Sequence, residues 1–134
     1  MPDMVDVRDP IVFVVDDDAS VRRGLRRLLV SAGFRVRVFA SGHELLAERD
    51  AGEPCCFVLD VRMPGQSGLA LHEALLAAGY RCPVVFITGD GQIPPGTRGA
   101  GAASVTVLAK PVDDGDLLEA IQRMIAPSGG AVAC

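Results

Sequence analysis

Residues 11–15, IVFVV, form an unbroken apolar and mostly β-branched run that stops abruptly at three aspartates, Asp16, Asp17 and Asp18. A run this short, apolar at both alternating positions, suits a parallel strand covered on both faces. Such a strand delivers carboxylates at its carboxyl edge. The pattern recurs along the chain: CCFVLD at 55–60 ends on Asp60, PVVFIT at 83–88 on Thr88, and VTVLAK at 105–110 on Lys110, with FRVRVF at 34–39 as the remaining strand.

Helical signals fill most of the gaps. After Asp18, Val21, Leu25, Leu28 and Leu29 recur at helical spacing, with Arg22, Arg23, Arg26 and Arg27 between them and Gly33 as the stop. This predicts an amphipathic first helix with a basic outer face. Ser41-Gly-His-Glu44 is a capping-box pattern opening a short second helix through Leu45 and Leu46. A third helix is expected over 69–78, stopped by Gly79, and a last one over 116–125, with Leu117, Leu118, Ile121 and Ile125 on one face. Between the fourth and fifth strands, Pro94, Pro95, Gly96, Gly99 and Gly101 each penalise helix by roughly 1–3 kcal/mol. The helix expected at 91–104 is therefore short or irregular.

Strands alternating with helices at this spacing imply an α/β fold: a doubly wound, five-stranded parallel sheet of flavodoxin-like (βα)5 type, whose ligands collect beyond the carboxyl ends of the strands. The expected organisation is an extension at 1–10, one domain at 11–126 and a flexible tail at 127–134.

Composition narrows the function classes. A chain of 134 residues holds one core. No apolar run approaches the ~20 residues needed to cross a bilayer, and the acidic start MPDMVDVRDP lacks the order of a secretory signal; a cytoplasmic location without membrane contact is the expectation. The net charge of -4 argues against direct nucleic-acid binding by this domain. Cys55, Cys56, Cys82 and Cys134 form no CxxC pair, so buried thiols are expected rather than zinc or a redox dithiol.

Asp16, Asp17 and Asp60 gathered at one sheet edge repel one another unless a cation neutralises them, and a hard oxygen site of this kind suits Mg²⁺. With Mg²⁺ on one side and the Lys110 ammonium on the other, a carboxylate can attack phosphorus while a hydroxyl, Thr88, bonds a phosphoryl oxygen. Asp60, alone on a central strand, is the natural nucleophile.

VFVVDDDASVR, FVLDVRMPGQSGL, VVFITG and LAKP, in that order and spacing, resemble the four signature segments of bacterial two-component response-regulator receiver domains of the CheY-like kind, over roughly residues 11–126. The resemblance implies that Asp60 is the phosphorylated aspartate and that Asp16 and Asp17 hold Mg²⁺ directly or through water. It makes the Arg62 backbone carbonyl the third protein ligand, Thr88 the hydroxyl that follows the phosphoryl group, and Lys110 its charge partner. Pro111 matches the proline that follows a cis bond in the family. The implied function is a phosphorylation-dependent switch that is not an enzyme beyond its own phosphoryl transfer and autodephosphorylation. A sensor histidine kinase or histidine phosphotransfer protein would supply the phosphoryl group, docking near the first helix. A downstream protein or an output domain outside this chain would receive the signal. The resemblance implies that Arg62 and Asp90 occupy positions that tune phosphoryl loss, and an ion pair between them is expected. Two departures stand out: the switch aromatic three residues before the lysine is Val107, and the family's fourth helix falls on the Pro/Gly-rich segment.

Asp18 is expected to cap the first helix, and His43 and His72 to be surface residues. Two rival functions have sequence support. Asp16-x-Asp18-x-Ser20, Thr88 and Lys110 mimic a haloacid-dehalogenase-type phosphatase, in which Asp16 would be the nucleophile, but that leaves DVRMPG unexplained. Val107 and the broken fourth helix suit a phosphorylation-independent pseudo-receiver, against which the intact acidic pair, Asp60, Thr88 and Lys110 all count.

Overall fold

The computed structural model describes residues 10–48, 54–63, 65–89 and 105–125. Within them lie strands β1 (Ile11–Val15), β2 (Arg35–Phe39), β3 (Cys56–Asp60), β4 (Val84–Thr88) and β5 (Val105–Ala109), and helices α1 (Ala19–Ser31), α2 (Gly42–Ala47), α3 (Gly68–Ala77) and α4 (Asp114–Ile125). The sheet is wholly parallel in the order β2-β1-β3-β4-β5. The expected five-stranded parallel architecture is what the chain adopts. The irregular helix expected at 91–104, the extension before Pro10 and the tail lie outside the described residues.

Strand periodicity sorts the core into two layers. Ile11, Phe13 and Val15 of β1 point to one face with Phe57, Leu59 and Phe86, where Leu45 of α2 and Leu71 and Leu75 of α3 cover them. Val12 and Val14 point to the other, with Cys56, Val58, Val85 and Ile87, under Leu29 of α1 and Leu117 and Ile121 of α4. All residues of β1, β3 and β4 are buried, so the unbroken apolar runs follow from helices on both faces. Each large side chain removed from water in this way contributes about 1.5–3 kcal/mol. Phe13 lies edge-on to Phe39 and Phe57 at centroid distances of 5.5 and 5.9 Å.

The helix boundaries have local causes. Asp18 accepts hydrogen bonds from the Ser20 and Val21 amides at 2.8 and 3.3 Å and so caps α1 as expected. Gly33 follows its end at φ 98°, a conformation costly for any residue with a Cβ. At α2, Ser41 Oγ accepts from the Glu44 amide, while Glu44 Oε1 reaches back to the Ala40 amide. That is the capping box with its return bond one residue early. The last helix begins two residues before the expected Asp116, because Asp113 Oδ2 accepts the Asp116 amide and gathers the first turn.

Two expectations about side-chain placement are corrected. His72 is buried, 4% exposed, with its ring edge-on to Phe86 at 5.5 Å. It lies three residues before Leu75 and beside Leu71 on the inward side of α3. The basic face of α1 also loses one member: Arg22 is half-buried and its Nη1 donates to the Asp16 carbonyl at 2.7 Å, while Arg23, Arg26 and Arg27 are exposed. His43 is exposed, as expected. Cys55, Cys56 and Cys82 are buried, Cys82 Sγ lying 2.8 Å from the Pro54 carbonyl.

Candidate functional site

The carboxyl ends of β1, β3, β4 and β5 meet at one edge, near the point where the strand order reverses on either side of β1. In open α/β sheets this is where ligands sit. The last residue of β3 is Asp60 and the residue after β1 is Asp16, and both are buried, at 3% and 2% exposure. Asp17 beside them is exposed. Oxygens of the three carboxylates lie within 4.8 Å of one another.

Each carboxylate is held by its own local structure. Asp60 Oδ1 accepts the Arg62 amide at 3.2 Å and faces Lys110 Nζ at 3.5 Å. Asp16 Oδ1 accepts the Asp18 amide at 2.9 Å, and the Asp16 amide donates to the Phe39 carbonyl at 3.1 Å. Burial pushes the Asp16 carboxyl above the usual carboxylate range; the negative charges of Asp60 and Asp17 add to this, while the Asp18 amide and Lys110 oppose it. Two buried like charges with one half-exposed lysine beside them form an under-neutralised site. Such a site favours a small, hard cation with oxygen ligands, so the donor set fits Mg²⁺.

Lys110 follows β5, and its amide donates to the Thr88 carbonyl at 2.9 Å, joining the ends of β4 and β5. Thr88 is 1% exposed. The Lys110-Pro111 peptide is cis, the geometry that the resemblance attached to Pro111. Arg62 is exposed beside Asp60, in the loop between β3 and α3. Asp90, and with it the expected Arg62–Asp90 pair, lies outside the described residues. Val107, where the resemblance leads one to expect an aromatic, is half-buried on β5 in register with Phe86 and packs on the aromatic layer.

Two contributors were not foreseen from sequence. Gly68 opens α3 so close to β3 that a methyl group there would strike the Asp60 carbonyl oxygen and approach Val61 Cα at 3.1 Å. Its amide donates to the Val61 carbonyl at 2.9 Å, tying α3 to the peptide after Asp60. The second is a groove of about 920 Å³ beside the site, lined by Val21, Gly24, Leu25 and Leu28 of α1 and by Ile87, Lys110, Pro111 and Val112. Asp16, Asp17, Asp60, Thr88 and Lys110 thus converge on one edge, whereas Val107 packs half-buried against the aromatic layer. Among the described residues, no helix is long and apolar enough to cross a membrane.

Comparison with known proteins agrees with this geometry. Residues 12–122 match the response regulator receiver domain family. Nodulation protein W of Bradyrhizobium diazoefficiens is 43% identical over 111 residues, 83% of this chain and 49% of that protein. Transcriptional regulatory protein TdiR of Thauera aromatica is 41% identical over 118 residues, 86% of this chain and 51% of that one. The chain therefore spans about half the length of the curated relatives it matches. Among solved structures, the response regulator StyR superposes with a TM-score of 0.75 at 47% identity, covering 87% of this chain and 59% of that one. The chemotaxis protein CheY4 of Vibrio cholerae gives 0.74 at 28% identity, covering 87% and 98%. The chain belongs to the response regulator receiver domains of two-component signalling systems.

Proposed function

We propose that this receiver is a phosphorylation-dependent switch in which Asp60 accepts a phosphoryl group from a phosphohistidine of a sensor histidine kinase or phosphotransfer protein. The observation that carries the reading is the environment of one carboxylate: Asp60 is buried, 3.5 Å from the Lys110 ammonium and clustered with Asp16 and Asp17. A buried carboxylate with cationic help on one side and acidic groups on the other is suited to attack phosphorus rather than to stabilise the fold.

Mg²⁺, held by the Asp16, Asp17 and Asp60 carboxylates with the Arg62 backbone carbonyl, would supply positive charge to the phosphoryl oxygens. In the transfer, an Asp60 carboxylate oxygen forms a bond to phosphorus as the P–N bond to the donor imidazole breaks, and the departing nitrogen keeps the electron pair. Lys110 pairs with a phosphoryl oxygen and the Thr88 hydroxyl donates to another. The Arg62 amide, already on Asp60 Oδ1, orients the attacking carboxylate. Hydrolysis of the acyl phosphate by water resets the switch. Arg62 and Asp90 tune that rate, and the domain turns over no other substrate.

The donor docks over α1 and the adjoining groove, whose apolar floor and exposed Arg23, Arg26 and Arg27 suit an amphipathic helix with acidic flanks. Phosphorylation shifts a pre-existing equilibrium between two surface conformations. With Val107 in place of an aromatic, the readout relies on rearrangement around β5 rather than on a swinging ring. The recipient is an output domain outside residues 11–126 or a separate protein. We place the system in the cytoplasm, where histidine kinases deliver phosphoryl groups.

The test uses a phosphohistidine mimic with a P–N bond. Incubated with phosphoramidate and Mg²⁺, the native chain is expected to gain a base-labile, hydroxylamine-sensitive phosphoryl group on the peptide containing Asp60. Labelling on the peptide containing Asp16 would move the chain to phosphatase-type chemistry. Magnesium binding without labelling would support a phosphorylation-independent binding module.

A further inference from the structure

The four arginines of α1 look alike in the sequence, and the fold separates one of them. Arg23 lies 3.5 Å from the Ser20 hydroxyl, and Arg26 and Arg27 face solvent. Arg22, one turn into the helix, folds back and donates from Nη1 to the Asp16 carbonyl at 2.7 Å, a short, charge-assisted hydrogen bond. The rest of the turn is secured from other directions. The Asp16 amide donates to the Phe39 carbonyl, the Asp18 amide donates to Asp16 Oδ1, and the Arg22 amide donates to the Asp18 carbonyl at 3.0 Å. The peptide joining Asp16 to Asp17 therefore hangs between the end of β2 and the first turn of α1. The Arg22 side chain holds that peptide's carbonyl oxygen from the helix side.

We infer that Arg22 is a positioning residue of the acidic site: its guanidinium fixes the Asp16–Asp17 peptide so that both carboxylates are presented in one arrangement before a divalent cation arrives. This rests on reading the cluster as a magnesium site. Groups outside the coordination sphere that orient the ligands commonly change metal affinity by 10–100-fold when removed. A guanidinium near the site also repels a cation, so the two effects of Arg22 have opposite signs. Positioning predicts weaker binding when the side chain is removed, and repulsion predicts tighter binding. The bond at 2.7 Å favours positioning, because the hydrogen bond is lost outright, whereas the charge of an arginine at a partly wet edge is screened.

The experiment is Mg²⁺ titration by calorimetry on the native chain and on Arg22→Met and Arg22→Lys, with amide hydrogen exchange at Asp17 and Asp18 in the metal-free proteins. Arg22→Met should raise the Kd about 10-fold and speed exchange at both amides. Arg22→Lys, keeping the charge and one donor, should recover part of both. Arg22→Met that binds Mg²⁺ more tightly would show that the residue only repels the cation. An unchanged Kd in Arg22→Met, even with a lowered Tm, would reduce its role to packing, and either result overturns the inference. A native chain that binds no Mg²⁺ overturns the magnesium-site reading itself, so the two failures are separable.

Discussion

Replacing Asp16 with asparagine removes one of three carboxylates whose oxygens lie within 4.8 Å of one another while preserving shape and an acceptor for the Asp18 amide. At that separation a like-charge pair repels by about 3 kcal/mol at an effective dielectric constant near 20. Lys110, 3.5 Å from Asp60, offsets much of this. A net gain of about 1–2 kcal/mol is expected for metal-free Asp16→Asn near neutral pH. For a domain of this size that raises the Tm by about 3–8 °C. The pH dependence has a definite sign. Burial holds the folded Asp16 carboxyl above its ordinary value of 3.8, so the native state binds its proton more tightly than the unfolded chain does. Its contribution is present below pH 3.8 and is lost as the pH rises through the folded pKa. The advantage of Asp16→Asn should therefore vanish in acid and be complete at neutral pH. Thermal unfolding followed by circular dichroism, in EDTA and then in excess Mg²⁺, reads both quantities. Mg²⁺ at a hundredfold excess over its Kd should stabilise the native chain by about 2.7 kcal/mol and the variant far less. A metal-free Asp16→Asn no more stable than native, or a variant stabilised equally by Mg²⁺, would refute this reasoning.

Two further substitutions probe the supporting structure. His72 is buried, its Nε2 has no hydrogen-bond partner among the described residues, and burial pushes its imidazole below the usual histidine range; His72→Leu should stabilise the fold by about 1–2 kcal/mol. In the native chain the unfolded state takes up a proton first, so stability should fall as the pH drops below 6.5 towards the lowered folded value, and a denaturant midpoint series showing the same slope in His72→Leu would contradict that. Gly68→Ala should cost about 1–3 kcal/mol, because the new methyl strikes the Asp60 carbonyl oxygen; unchanged stability in urea would mean that α3 can move aside freely.

Much of this arrangement was legible in the sequence because β1, β3 and β4 are covered on both faces. Such strands cannot hide among amphipathic patterns, and the polar residues at the strand ends, Asp60, Thr88 and Lys110, necessarily share one edge of a parallel sheet. His72 was misread because α3 is apolar around most of its circumference, which leaves no clear inward stripe. The available signal was its spacing from Gly68 and Leu75, four and three residues away on the same side. Arg22 was grouped with its neighbours because composition does not distinguish four arginines on one helix, although it stands three residues before Leu25 and so borders the inward face. Gly68 gave no sign, since a glycine after a turn resembles a flexible loop residue until the neighbouring carbonyl is in place.

The chemistry at Asp60 is tested most directly by intact mass after incubation with acetyl phosphate and Mg²⁺, comparing the native chain with Asp60→Asn and Asp16→Asn. The expected result is a single phosphoryl adduct on the native protein that requires Mg²⁺, disappears with Asp60→Asn and is strongly reduced with Asp16→Asn. An adduct that persists in Asp60→Asn, or its absence from a native chain with Mg²⁺ bound, would contradict the assignment of Asp60 as phosphoacceptor.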